Sequence, residues 1–362
     1  NNLHFFTNTA NVWYTSSVPV VYFYQGTVAA YAGSANSTYS PDAPKRNNVN
    51  RMPFASDQGF TDTGYDLAFP GPTTNSGGST VSHSSDTDGY SSGASEPTHR
   101  DFVQKFSFAN SADATDHGEL SVVAGGVYMG GTSGAQSAVS QTHAYYAGGK
   151  NWLHSPAVLY APGGTNQVTA VDTTIIRKWP FAAGVTGNSV KTGDLTEGGS
   201  HADDIANGGI QSLEHGYVVG GLGNPPATPY FSYNQDRYPF SSDENATDVG
   251  EYSGNVLAEG ARFSSETHGY YVGGYGGHPG RDTILKFAFS SALSFTDAGE
   301  LTNPANRNVG TGSTTAGYSI IGKTGPGSAQ DKIEKIPFAS DTAGVDIGEY
   351  TYVGEKAITF AD

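Results

Sequence analysis

A recurring motif contains aspartates that could either bind a metal ion or stabilise a turn of the backbone. The motif is Thr-Asp-x-Gly, with Val for Thr in one copy, and its acids are Asp62, Asp116, Asp248, Asp297 and Asp346. Carboxylate oxygens are ligands that calcium prefers. Alternatively, each carboxylate accepts backbone N–H groups and shapes a hairpin turn, with the glycine at positive φ. Recurrence favours the turn, because a structural requirement repeats and a unique site does not.

Three histidines precede an aromatic stretch at equivalent places, His143, His215 and His268. Equivalent positions in a ring can point to a common axis, where three imidazoles could bind a transition metal. Asp88 and Ala316 occupy the same place in two other copies. We therefore expect each imidazole to hydrogen-bond to the backbone of a neighbouring unit, and we predict no metal and no cofactor.

The remaining composition offers few candidates for catalytic residues. The chain has no Cys, which excludes disulfides, thiolate metal sites and a cysteine nucleophile. No convergent set of reactive side chains stands out, so we predict that the protein is not an enzyme and has no catalytic residues. The alternative is a glycan-degrading enzyme with an axial pocket, which would need paired carboxylates about 5–10 Å apart.

The charge balance bears on partners. Lys and Arg number 18 against 34 Asp and Glu, a net charge of −16. This charge argues against nucleic acid and against an anionic membrane as partners. The apolar run at 18–24 is too short to cross a bilayer. The first residue is Asn, without a basic signal region, so we expect a processed or partial chain.

Internal repeats organise the whole chain. A motif of a basic residue, a two-residue spacer and Phe recurs six times, at 51–54, 105–108, 178–181, 237–240, 286–289 and 335–338. The Thr-Asp-x-Gly motif follows most copies, and 192–194 in the third copy is shortened. A third motif, an aromatic stretch closing in glycine, recurs at 88–93, 143–149, 215–221, 268–274 and 317–322, with a degenerate copy at 30–33. Each unit therefore holds four short strands in about 50 to 70 residues.

Six such units predict an all-β, six-bladed β-propeller, because a radial arrangement buries each blade against two neighbours. We expect one domain, 1–362, with blades at 18–68, 69–121, 122–196, 197–253, 254–302 and 303–350 and a closing strand at 351–362. The segment 357–360 should pair with the N-terminal segment 18–32. The glycine pairs allow close backbone approach, and the Phe and Tyr residues should fill the space between blades.

Insertions differ between the repeats and are where we predict ligand binding. In a four-stranded blade the connections 2–3 and 4–1 lie on one face, so insertions there build one surface. The largest is 150–171, and others lie at 34–48, 222–230 and 275–280. Their candidate ligand-binding residues are Trp152, His154, Tyr160, Tyr230, Tyr275 and His278. Aromatic side chains in such loops suit carbohydrate or protein recognition, although they could equally pack the insertions onto their own blades.

The repeats resemble kelch-type β-propeller repeats over residues 20–350. Their sequence motifs are similar to those of repeats in virion structural and tail-fibre proteins of marine cyanobacterial phages. These motifs are Lys-x-Pro-Phe-Ala-Ser-Asp, Thr-Asp-x-Gly-Glu and Thr-His-Gly-Tyr-x-x-Gly-Gly. Blade three departs from them, since 182–184 lacks the acidic residue after Phe.

The resemblance implies a non-enzymatic structural and recognition module on a virion surface, a tail or head fibre or an adhesin. Its partners would be other virion proteins or a host-surface glycan or receptor. A homo-oligomer is compatible with such an appendage, but no residue sets the copy number. A secreted or host protein-binding scaffold is the remaining alternative.

Overall fold

The structure is a computed structural model that describes most of the chain. The described residues are 3–5, 14–16, 26, 28–33, 48–67, 81–94, 100–119, 122–123, 127–133, 135–148, 150–154, 169–172, 174–182, 189–196, 209–222, 231–252, 254, 257–275, 281–291, 294–323, 329–354 and 358–362. All regular elements in them are β-strands. Within these ranges no helix has the length and apolar character needed to cross a membrane.

Six four-stranded antiparallel sheets form the blades of a propeller. The two strands nearest the N-terminus, β1 (Leu3–Phe5) and β2 (Tyr14–Ser16), form a separate sheet. From the innermost strand outwards, the blades are as follows. Blade 1 contains β30 (Ile358–Ala361), β3 (Ala29–Gly33), β4 (Asn48–Pro53) and β5 (Thr61–Asp66). Blade 2 contains β6 (Val81–Ser84), β7 (Asp88–Ala94), β8 (Arg100–Ser107) and β9 (Thr115–Glu119). Blade 3 contains β12 (Gln136–Val139), β13 (His143–Ala147), β16 (Ile175–Pro180) and β17 (Val190–Asp194). Blade 4 contains β18 (Ile210–Gln211), β19 (His215–Leu222), β20 (Phe231–Pro239) and β21 (Thr247–Glu251). Blade 5 contains β22 (Ala261–Ser264), β23 (His268–Val272), β24 (Arg281–Ala288) and β25 (Thr296–Ala305). Blade 6 contains β26 (Val309–Gly312), β27 (Ala316–Lys323), β28 (Ala329–Pro337) and β29 (Val345–Gly354).

The innermost strands of the blades form a closed ring around the axis. Each contacts the innermost strand of both neighbouring blades, in the order β30, β6, β12, β18, β22 and β26. The ring closes in blade 1, where β30 pairs with β3 and Ala361 lies opposite Ala30. A hydrogen bond from the Val28 N–H to the Asp362 carbonyl, at 2.7 Å, extends this pairing. The predicted six-bladed propeller, closed by its terminal segments, is confirmed.

Two glycines of β26 show how closely the strands approach at the axis. A Cβ on Gly310 would lie 2.4 Å from the backbone carbonyl oxygen of Arg262 in β22, an atom with no room to yield. A Cβ on Gly312 would meet its nearest neighbour at 3.5 Å, an ordinary van der Waals contact. We expect Gly310→Ala to lower the free energy of unfolding by about 1–3 kcal/mol and Gly312→Ala to change it by less than about 1 kcal/mol. Urea denaturation measures both, and equal losses would contradict this account of the axis.

Aromatic pairs join every blade to the next. The Tyr of each second strand faces the Phe after the third strand of the following blade, with ring centroids 4.7 to 5.1 Å apart. The six pairs are Tyr31–Phe108, Tyr90–Phe181, Tyr145–Phe240, Tyr217–Phe289, Tyr270–Phe338 and Tyr318–Phe54. Such pairs contribute about 0.5–1.5 kcal/mol each beyond the area that they bury. The predicted packing role of these residues is confirmed, including Tyr31 in the degenerate copy.

The Thr-Asp-x-Gly motif lies inside the fourth, outermost strand of its blade. In five blades the Asp Oδ1 accepts a hydrogen bond of 2.8 to 3.1 Å from the N–H of the glycine two residues later. The strand pairing shifts register here, so the motif forms a β-bulge. The predicted carboxylate–backbone bond is therefore confirmed, but its placement in a hairpin turn is wrong. A bulge kinks an edge strand and keeps it from pairing with other chains.

Each of the three repeated histidines is the first residue of the second strand of its blade. A hydrogen bond of 2.8 Å links Nδ1 of His143 to the hydroxyl of Thr142, and the same bond links His268 to Thr267. The expected bond to the backbone of a neighbouring blade is therefore wrong for these two, because the preceding threonine is closer. The described residues contain no group of three or more acidic or histidine side chains that could hold a metal.

Candidate functional site

A seventh four-stranded sheet stands outside the blades. It has the order β10 (Val122–Val123), β11 (Val127–Ser133), β14 (Lys150–His154) and β15 (Thr169–Asp172), and we call it the added sheet. The 4–1 connection between blades 2 and 3 supplies its first two strands, and the 2–3 connection of blade 3 supplies the other two. The added sheet also contacts β7 and β8 of blade 2. Two connections on the same face of the ring have therefore combined into one surface.

A bend at Gly148 starts the added sheet. β13 ends at Ala147 and β14 begins at Lys150, and between them Gly148 has a φ of 69°, a left-handed conformation that glycine adopts without strain. The Gly148 N–H donates to the carbonyl of Ile175 at 3.1 Å, which holds the bend against the third strand. Gly148, the first glycine of the pair that closes the aromatic motif, thus redirects this hairpin out of blade 3.

The candidate ligand-binding residues are distributed over this face. Trp152 lies in β14, opposite Gly130 of β11 and Ala170 of β15, and His154 ends the same strand. Tyr275 follows the second strand of blade 5, and 39% of its surface is exposed. Blade 5 is opposite blade 2 in the ring, so the structure does not bring Tyr275 to the added sheet. The other three candidates, Tyr160, Tyr230 and His278, lie outside the described residues.

Two stretches match catalytic or phosphate-binding motifs by their letters. Residues 89–93 have the form Gly-x-Ser-x-Gly, and 317–324 have the form Gly-x-x-x-x-Gly-Lys-Thr. Both motifs function at a turn that leads from a strand into a helix. Here the first lies within β7, where Ser91 is fully buried, and the second runs through β27. Neither stretch has the backbone shape that its motif requires.

The buried carboxylates near the third strands have structural partners. Asp236 accepts two hydrogen bonds, of 2.8 and 2.6 Å, from the N–H and hydroxyl of Thr196 before blade 4. Glu334 accepts equivalent bonds, of 2.7 and 2.9 Å, from Thr302 of blade 5. Glu259 forms an ion pair with an arginine at 3.4 Å. These acids therefore tie neighbouring units together.

The face opposite the added sheet carries ion pairs between blades. The Lys of a third strand binds an Asp that follows the Phe of the next blade, in the pairs Lys178–Asp243, Lys286–Asp341 and Lys335–Asp57. Blade 3 lacks this Asp, and Lys105 of blade 2 instead lies 3.6 Å from Asp88 of its own blade. The pairs are partly exposed, so each contributes at most about 1 kcal/mol.

An open cleft of about 400 Å³ lies on this face between blades 4 and 5. Its walls include Glu214, His215 and Tyr217 of blade 4 with Arg237 of the third strand, and Phe289 of blade 5. Burial and the nearby Arg237 guanidinium lower the pKa of His215, so its imidazole is neutral near pH 7. The sequence motifs alone did not reveal this cleft. Its signal in the sequence is Arg in place of Lys, together with Ala292 where three other blades have Asp.

Comparisons with protein-family models and with curated proteins found no match.

Proposed function

We propose that the protein is a rigid, non-enzymatic recognition module that binds a host-surface glycan or a protein through the face carrying the added sheet. The observation that carries this proposal is the combination of two connections, from different blades, into one sheet outside the ring. The added sheet belongs to none of the six blades, and segments that a rigid scaffold displays in this way commonly serve binding. In the sequence, the segment 155–168, which contains Tyr160, connects two strands of this sheet, β14 and β15.

The setting that we propose is a phage virion appendage, such as a tail or head fibre or an adhesin. The sequence motifs of the repeats support this setting, since they are similar to motifs in virion proteins of marine cyanobacterial phages. The net charge of −16 supports it as well, because an acidic particle surface resists non-specific adsorption. Partners would then be other virion proteins or a host-surface receptor.

Binding to marine cyanobacterial cells and to a glycan array tests the proposal. We expect the full chain to bind, and Trp152→Ala and Tyr160→Ala to weaken binding by about tenfold, the loss typical of an aromatic anchor. Val345→Ala is the matched control, because it removes an apolar residue, 52% exposed, from an outermost strand far along the blade from this face. The control should bind as the unmodified chain does.

Release of reducing sugar, measured in the same incubations, separates binding from catalysis. Steady release would contradict a non-enzymatic module and favour a glycan-degrading enzyme. Losses of melting temperature with unchanged binding in both aromatic variants would show that these residues only pack the insertion.

A further inference from the structure

The cleft between blades 4 and 5 stands where the repeat would place an ion pair. At three other junctions a third-strand Lys meets an Asp of the following blade, as in Lys178–Asp243 at 2.6 Å. At this junction the cation is Arg237, and the position of the Asp, three residues after Phe289, is Ala292. Among the described residues no carboxylate forms an ion pair with Arg237, which lines the cleft together with Tyr217. A cation is therefore kept, and the acid that the repeat provides for it is missing.

The other junction with an arginine is arranged differently. Arg51 of blade 1 donates from Nε to the hydroxyl of Tyr31 at 3.1 Å and also lies over the ring of Tyr31. The C-terminal residue Asp362 is close enough to interact electrostatically with Arg51. An acid of the closing segment thus faces Arg51, whereas a solvent-open cleft faces Arg237.

We propose that this cleft binds the carboxylate of an acidic sugar, such as a hexuronate unit, with Arg237 as the residue that pairs with it. Arg presents a planar fork of donors that matches a carboxylate in two parallel hydrogen bonds, which Lys does not. The volume of about 400 Å³ is within the range of small-molecule sites. The ligand carboxylate takes the role that an Asp of the next blade has at three other junctions.

The remaining lining selects the class of acid. Glu214 and Glu266 are exposed at the cleft and add negative charge, which disfavours a ligand with several charges such as a phosphate or a polysulfate. A hexuronate has one carboxylate, and its hydroxyls can donate to these two acids. The ring of Phe289 and the exposed side chain of Leu213 offer apolar contact for the C–H face of the sugar. This site lies on the face opposite the added sheet and does not rest on the function proposed above.

Calorimetric titration of the full chain with glucuronate and with glucose tests the proposal. We expect glucuronate to bind and glucose to bind at least about tenfold more weakly, the ratio expected for a charge-assisted hydrogen bond. The Arg237→Gln variant should bind glucuronate at least about tenfold more weakly than the unmodified chain does. Arg51→Gln is the matched control, since it removes the equivalent arginine at a junction occupied by Asp362, and it should bind glucuronate as the unmodified chain does.

A second variant restores the ion pair of the other junctions. Arg237→Lys combined with Ala292→Asp should block glucuronate binding without lowering the melting temperature, because it gives this junction the Lys and Asp that form an ion pair at three other junctions. The proposal is overturned if the unmodified chain does not bind glucuronate, if glucose binds equally well, or if either Arg237 variant keeps the affinity. Equal losses in the Arg237→Gln and Arg51→Gln variants would also overturn it.

Discussion

Truncation after Gly354 should lower the melting temperature by about 5–10 °C. It removes β30, the innermost strand of blade 1, and with it the pairing to β3 and the contacts to β6 and β26 on either side. Backbone hydrogen bonds contribute about 1 kcal/mol each, so loss of this strand should cost about 5 kcal/mol or more. With an unfolding entropy of about 2 cal/mol/K per residue, that loss corresponds to this shift in a chain of this size. Differential scanning calorimetry measures it.

Two controls make this result specific to ring closure. Truncation of residues 1–24 removes a similar or larger piece of chain, but its strands β1 and β2 form a sheet of their own, so the melting temperature should hardly change. Adding the peptide 355–362 to the C-terminally truncated protein should restore part of the lost stability. An unchanged melting temperature after loss of β30 would rule out the strand as the closure of the ring.

Acid should destabilise the protein through His83, which lies in β6 at the axis and is almost fully buried. Its Nε2 is 2.7 Å from the carbonyl oxygen of Tyr145 in the next blade. Burial lowers the pKa of His83 from 6.5 to about 4. Between these values only the unfolded chain takes up the proton, so the stability present above pH 6.5 falls as the pH drops towards 4. The loss is about 1.4 kcal/mol per pH unit, roughly 3 kcal/mol in all.

Urea denaturation at pH 7.5, 6, 5 and 4 measures this dependence. The comparison with His83→Gln isolates the histidine, because glutamine can still donate to the Tyr145 carbonyl but does not titrate. The difference between the two proteins should change by about 3 kcal/mol over this range. His143→Gln is the control at a partly buried position at the start of β13, where a smaller change is expected. A pH dependence that is the same in all three proteins would contradict the assignment to His83.

The repeat motifs were sufficient to predict the packing between blades, because each motif repeats the same contact. Tyr31 shows this well: its copy of the aromatic motif is degenerate, yet it stacks on Phe108 as the other tyrosines stack on their partners. The placement of Thr-Asp-x-Gly in a turn was wrong for a different reason. An Asp that binds the N–H two residues later occurs both in turns and in bulges, and only the pairing of the strands distinguishes them.

The candidate site was less predictable. The segment 150–171 was interpreted as a loop insertion, but both of its ends form strands of the added sheet. Of these, β14 pairs with β11, which comes from the connection before blade 3. Pairing between segments of different connections has no local signature, because it depends on which loops meet on one face. His83 likewise belongs to no motif, and only its burial against Trp179 and Tyr145 reveals its strongly lowered pKa.

The sequence by itself determined the fold class, the number of blades and the closure by the two terminal segments, since these follow from six repeats that each bury the same faces. Only the tertiary structure decided which surfaces are open. The cleft at Arg237 is lined by residues of two neighbouring blades, and the added sheet exists because two separate connections meet. Both depend on contacts between blades, which the order of residues within one repeat does not contain.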